Sequence, residues 1–179
     1  MKYPNASGGL KLMFTGEILT IVGVVLTVIL IGPILTLIGG IMSLVGLYRA
    51  RQDDEGYNTA FILSIVSIVL DFVGVFFDGI GECLISIISS IIALAIMYYV
   101  CTTTSNLLHS VGEESIAARG RTVLNINIIC TIISVVLSVL AYVPLLSVLT
   151  VIGAVIIIIA VLIGYILYLM FLHGSYKAL

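Results

Sequence analysis

The chain has 179 residues, of which 61% are hydrophobic and 9% charged, with a net charge of -2 and a mean hydropathy of +1.34. An ordinary soluble domain is about half apolar and about a quarter charged, so a soluble globular fold is excluded. The charge balance offers no basic patch, and nucleic acid is not an expected partner.

Three apolar tracts run from Leu12 to Tyr48, Thr59 to Cys101 and Val123 to Leu172. A bilayer is crossed by about 20 helical residues, so each tract is long enough to fold back on itself. The first tract is broken by "IGPI", the second by "DGIGE" at Asp78 to Glu82, and the third by "YVP" at Tyr142 to Pro144. The expected fold is therefore all-α: a polytopic transmembrane helix bundle of six spans, built as three tight helical hairpins in one integral membrane domain over residues 1–179. The spans are predicted at about 12–31, 34–50, 59–77, 80–101, 123–141 and 145–172. The first span is read as retained, because its apolar run exceeds a signal-peptide core and no small-residue cleavage motif follows.

Charge placement tests this count. Lys2, Lys11, Arg49, Arg51, Arg119, Arg121 and Lys177 all fall in the termini or between hairpins, and none falls in a predicted hairpin turn. Under the positive-inside rule both termini and the loops 49–58 and 102–122 are cytoplasmic, in a cell membrane. In the first loop, Asp53 to Glu55 read as solvated acids beside the arginines. The second loop carries Leu107, Leu108, Val111 and Ile116 among polar residues. It is predicted to form a short interfacial helix and to be the docking site for a cytoplasmic partner.

A shift of 50 residues lays "TLIGGIMSLVGLY" (from Thr36) over "SIISSIIALAIMY" (from Ser86), and a weaker copy starts at Thr150. Three hairpins entering from the same side would form a parallel repeat.

Small and hydroxyl residues form seams on each span. They are Gly16, Thr20, Gly23 and Thr27 in the first, and Thr36, Gly39, Ser43, Gly46 and Ala50 in the second. The fourth has Cys83, Ser86, Ser90 and Ala93; the fifth Asn127, Thr131 or Cys130, Ser134, Ser138 and Ala141; the sixth Ser147, Thr150, Ala154 and Gly164. In lipid such faces serve close helix packing. The third span differs. Ala60, Ser64, Ser67, Asp71, Gly74 and Asp78 share one helical face, and Asp71 lies about 18 Å along the helix from Thr59. An intramembrane aspartate costs roughly 2.5–3.5 kcal/mol, and no Lys, Arg or His lies within a span to offset it. Desolvation without a cation favours the neutral acid or a water-linked carboxylate. The candidate polar core is therefore Asp71 as a buried protonatable carboxylate with Ser67, Ser64 and Asp78. The structural alternative is a carboxyl hydrogen-bonded to a seam hydroxyl such as Ser134 or Ser138. A secondary polar cluster of Glu17, Asn125 and Asn127 is predicted near the cytoplasmic side.

Cys83, Cys101 and Cys130 are odd in number and lack CxxC spacing, so no disulfide framework or metal site is indicated, and no cofactor is expected. HExxH, GxSxG, Walker A and GxGxxG are absent, and no enzyme is expected. The expected partners are the lipid bilayer and either a second copy of the chain or another membrane protein. The leading expectation is a transporter or channel-type protein, or the membrane subunit of a transport complex. The alternative is a scaffold, accessory or immunity-type subunit acting through helix–helix contacts.

Overall fold

The computed structural model describes residues 2–26, 31–140 and 147–179, with side chains at all of these except 80, 147–152 and 154. The described chain is all-helical: α1 (Pro4–Val25), α2 (Ile31–Ala50), α3 (Glu55–Gly74), α4 (Ile80–Ser110), α5 (Glu114–Leu140) and α6 (Ser147–Ala178). Each carries a stretch long and apolar enough to cross a bilayer. Large apolar side chains stay exposed along them, from Val25 and Ile41 to Phe72 and Ile158, which a water-soluble bundle would bury. The protein is a multi-pass membrane bundle.

Each helix packs against its neighbours in the chain, and α6 returns to α1, so the six close into a ring. The α1–α2 hairpin is the most intimate pair, whereas α2 and α3, which belong to different hairpins, touch least among sequence neighbours. Both described ends and the turns at residues 51–54 and 111–113 meet at one end of the ring. There, the Tyr3 amide donates to Leu179 O at 3.4 Å, the Tyr3 and Ser110 hydroxyls share a bond of 3.0 Å, and Ser7 Oγ donates to Tyr176 O at 2.6 Å.

The buried core gathers at that loop end: Leu10 and Met13 of α1, Tyr57 of α3, Val100 and Leu108 of α4, Val123 of α5, and Phe171 and Leu172 of α6. The physical reason is solvent. Helix α4 has 31 residues and α6 has 32, about 47 Å each against a hydrocarbon thickness of about 30 Å, so their loop ends project toward water. Water drives apolar burial there, whereas helices in lipid must associate through small residues.

The hairpin α1–α2 shows the second mode in full. Gly9, Gly16 and Gly23 of α1 face Gly46, Gly39 and Gly32 of α2, all six buried at seven-residue spacing. A Cβ on Gly16 would meet Gly39 O at 2.6 Å, and one on Gly39 would meet Gly16 O at 2.5 Å. Backbone therefore lies on backbone, and the heptad period keeps the seam facing its partner. The predicted seams of these two spans are packing faces. The "IGPI" motif is not the turn itself: Gly32 and Pro33 lie in the first turn of α2, where a missing proline N–H breaks no helical bond. The predicted seam members Thr27 and Ala141, and the "YVP" turn, lie outside the described residues, as do the side chains of Ser147, Thr150 and Ala154.

The segment 102–122 is not a loop. Helix α4 continues to Ser110 and α5 begins at Glu114. The hydroxyl residues that read as loop are interior: Tyr57 and Thr104 share a bond of 2.7 Å, and Ser105 Oγ donates to Ala117 O at 3.1 Å. Leu107 and Leu108 are buried in the core and do not lie on a bilayer surface. Helix α4 stops at Gly112, whose φ of 84° is left-handed. The Glu113 amide returns to Leu108 O at 2.9 Å and the Gly112 amide to His109 O at 3.1 Å, a Schellman closure.

The triple Asp53 to Glu55 is likewise more than solvated loop. Asp53 accepts from Asn5 Nδ2 at 3.0 Å and from the Ala6 amide at 2.7 Å, capping α1, whose own N-cap Tyr3 makes no side-chain cap bond. Asp54 caps α3 through the Gly56 amide at 2.8 Å. We predict that Asp53→Ala lowers stability in detergent by about 1–2 kcal/mol. Glu55→Ala, which removes no such bond, stays within about 0.5 kcal/mol. Equal losses in thermal unfolding would refute the capping role.

Candidate functional site

Helix α3 turns one face toward α4 along its whole length. Near the loop end that face holds Tyr57, bonded to Thr104; further along Ala60 is buried, and Ser64 donates to its own Ala60 O at 2.8 Å. Still further out the same face carries Ser67, Asp71 and Gly74. Ser89 Oγ of α4 donates to Asp71 Oδ1 at 3.1 Å, and a Cβ on Gly74 would meet Ile85 at 3.2 Å. The spacing 57, 60, 64, 67, 71, 74 alternates three and four, as a single helical face requires.

Toward the far end the two helices flank an open groove of about 520 Å³ lined by Ser67, Asp71, Gly74, Glu82, Ser86, Ser89 and Ser90, together with Val75 and Ile85. Its chemistry is set by what the groove leaves unspent. Ser90 bonds back to Ser86 O at 2.8 Å and Ser89 is used by Asp71. The hydroxyls of Ser67 and Ser86, the carboxylate of Glu82 and Asp71 Oδ2 have no hydrogen-bond partner among the described residues. Two carboxylates and two hydroxyls without a cation make a site for positive charge or for a hydrogen-bonding solute.

Of the four predicted core residues, Ser67 and Asp71 line this groove. Ser64 is spent on its own helix, and Asp78 sits exposed in the turn, outside the lining. Two corrections follow. The Asp71 side chain is exposed in the open groove and not buried, and its hydroxyl partner is Ser89 of α4, not Ser134 or Ser138 of α5. Helical spacing had put Ser86 and Ser90 on one seam of α4. What it could not say was which neighbour that seam faces.

A second carboxyl lies elsewhere in the ring. Glu17, past the middle of α1, accepts from Ser43 of α2 at 3.2 Å and from the phenol of Tyr165 of α6. Asn127 donates to its own Val123 O at 2.9 Å and Asn125 is exposed, so no hydrogen bond joins the predicted trio of Glu17, Asn125 and Asn127. By helix rise Glu17 stands about 20 Å and Asp71 about 24 Å from the loop-end starts of their helices, so the two acids lie at similar depth.

Several seam hydroxyls outside the loop-end core bond back to their own helix: Thr20 to Gly16 O at 3.0 Å, Thr36 to Gly32 O at 3.1 Å, Ser138 to Ser134 O at 2.9 Å. Ser43 and Ser89 instead cross between helices, and each goes to a carboxyl group. The chain matches no known protein-family model, no curated protein and no solved structure.

Proposed function

We propose that the chain is a small transport-type protein, acting by itself or as the membrane subunit of a transport complex, and that the α3–α4 groove receives the transported species. That species is a cation or a small solute bearing positive charge. The observation that carries this reading is the set of unspent groups on two membrane-spanning helices: Asp71 Oδ2, Glu82 and the hydroxyls of Ser67 and Ser86 around one groove of about 520 Å³. Such groups are expensive against hydrocarbon, so in the membrane the groove must meet water, a solute or protein. Its volume suits a hydrated cation or a small organic one. The reading involves binding and passage without covalent chemistry. The positive-inside rule supports termini on the cytoplasmic side.

One observation favours the runner-up, a scaffold or accessory subunit. The groove is open along its side, and Val75 and Phe76 beside it are exposed, so a partner helix bringing an amide or a basic side chain would fit there. Labelling separates the two. In a background with Cys83, Cys101 and Cys130 replaced, cysteines at Ser67 and Ser86 are expected to react in native membranes with an impermeant maleimide. If they are shielded in membranes and reactive only after purification, a partner covers the groove. Protection under both conditions would defeat the transport reading.

A further inference from the structure

The cleft between α2 and α3 has a polar head and an apolar body. At the loop end, Arg51, Gln52, Glu55, Asn58 and Thr59 line a pocket of about 460 Å³. The Arg51 guanidinium lies over the Tyr48 ring with its carbon 3.8 Å from the centroid, and 5.5 Å from that of Phe61. Its side-chain hydrogen bond is a long one, Nη1 to Asn58 Oδ1 at 3.4 Å, and no carboxylate is paired with it among the described residues. A guanidinium fixed by ring stacking, with its fork largely unspent, is organised for a phosphate. Across the pocket, Glu55 is the one acid of its triple not used in capping. It is placed to take an ammonium.

The apolar body begins further along the same two helices. Val24, Pro33, Leu37, Gly40, Ile41, Leu44 and Ile68, with Thr36, line a groove of about 560 Å³. On α2 the positions 33, 37, 40, 44 and 48 follow one helical face, continued by Arg51 just past its end, and on α3 so do 58, 61, 65 and 68, so pocket and groove lie in line along one seam with the Tyr48 and Phe61 rings, 5.7 Å apart edge to face, between them. Leu37, Ile41, Tyr48, Ile65 and Ile68 are exposed there, and Gly40 leaves open space. From Arg51 to Gly40 is about 16 Å by helix rise, close to the depth of one bilayer leaflet.

We infer that this cleft is a phospholipid site: the phosphate on Arg51, the primary ammonium of an ethanolamine headgroup on Glu55, and an acyl chain along α2 and α3 over Gly40. The lipid fills the seam between the first and second hairpins, where protein packing is thinnest. This inference is independent of the transport reading.

Native mass spectrometry of the full chain in detergent tests it, with added diacyl phosphatidylethanolamine, diacyl phosphatidylglycerol and soluble glycerophosphoethanolamine as probes. The wild type is expected to hold one ethanolamine lipid about tenfold more tightly than the glycerol lipid, and the soluble headgroup hardly at all. Arg51→Ala should weaken retention of both lipids about tenfold, Arg51→Lys less so, since it keeps charge but loses the fork. Glu55→Gln should erase the preference between headgroups. Gly40→Leu should displace the acyl chain with Arg51 intact. Arg121→Ala, an exposed cation elsewhere, should change nothing. Unchanged retention in Arg51→Ala, equal retention of the two lipids by the wild type, or binding of the soluble headgroup as tight as that of the lipid would each overturn the assignment.

Discussion

Gly39→Ala is expected to lower the unfolding stability of the detergent-solubilised protein by about 1–3 kcal/mol, the ordinary range for forcing a methyl into a filled site. Gly40→Ala, one residue along, is expected to be neutral or stabilising by up to about 1 kcal/mol through helix propensity alone. The two glycines differ only in what they face. A Cβ on Gly39 would lie 2.5 Å from Gly16 O and 2.9 Å from the Thr20 amide nitrogen, both backbone atoms that move only if α1 shifts. At Gly40 nothing lies within 4 Å. Gly16→Ala should behave like Gly39→Ala, and the double variant should lose less than the sum. Once the hairpin has opened for one methyl, the second meets a gap already made. Additive losses, or equal losses at 39 and 40, would show that the helices do not meet backbone to backbone. Arg49 over Gly8 is a built-in control: a Cβ there meets the far end of a flexible side chain, and Gly8→Ala should be tolerated.

This seam marks how far the sequence could be read. Hydropathy and breakers were enough for six spans, because lipid demands long apolar helices and tolerates little else. Helical periodicity was enough to put Ser67 and Asp71 on one face. Partner choice was beyond it, since spacing defines a face and not the neighbour it meets, and so Ser89 went unrecognised as the donor to Asp71. The glycine heptads were split for a different reason. Gly9 precedes the predicted start of the first span and Gly32 falls in its predicted break, so three regular pairs read as two unrelated seams. Polarity also misled at 102–122, because buried hydroxyls that bond within and between helices look like loop residues in composition. The signal that would have corrected this is local: Gly112 followed by Glu113 and Glu114 is a helix stop and then an acidic first turn.

The second large effect is expected at Glu17, through its coupling to Tyr165. Two hydroxyl donors from different helices converge on this carboxyl, Ser43 of α2 and Tyr165 of α6, and so tie the first hairpin to the last. Tyr165→Phe should cost about 1–3 kcal/mol, because it removes one donor while leaving a membrane-embedded carboxyl short of a partner. Glu17→Leu should cost a similar amount by stranding the phenol. Ser43 escapes that fate, since a serine in a helix can turn back to the carbonyl four residues earlier, here that of Gly39. The double variant Glu17→Leu with Tyr165→Phe should then cost well under the sum of the singles, because replacing both partners by apolar groups strands neither. A coupling of about 1–2 kcal/mol in the cycle, read from unfolding in detergent, is the expected result. The same cycle between Asp71 and Ser89 should give far less, because Asp71 lies in the open groove where water can replace the serine. The contrast matters for function. A carboxyl locked between helices holds the ring closed, and one that exchanges its serine for water or solute is free to bind, so equal couplings at the two acids would contradict the division of roles proposed for them.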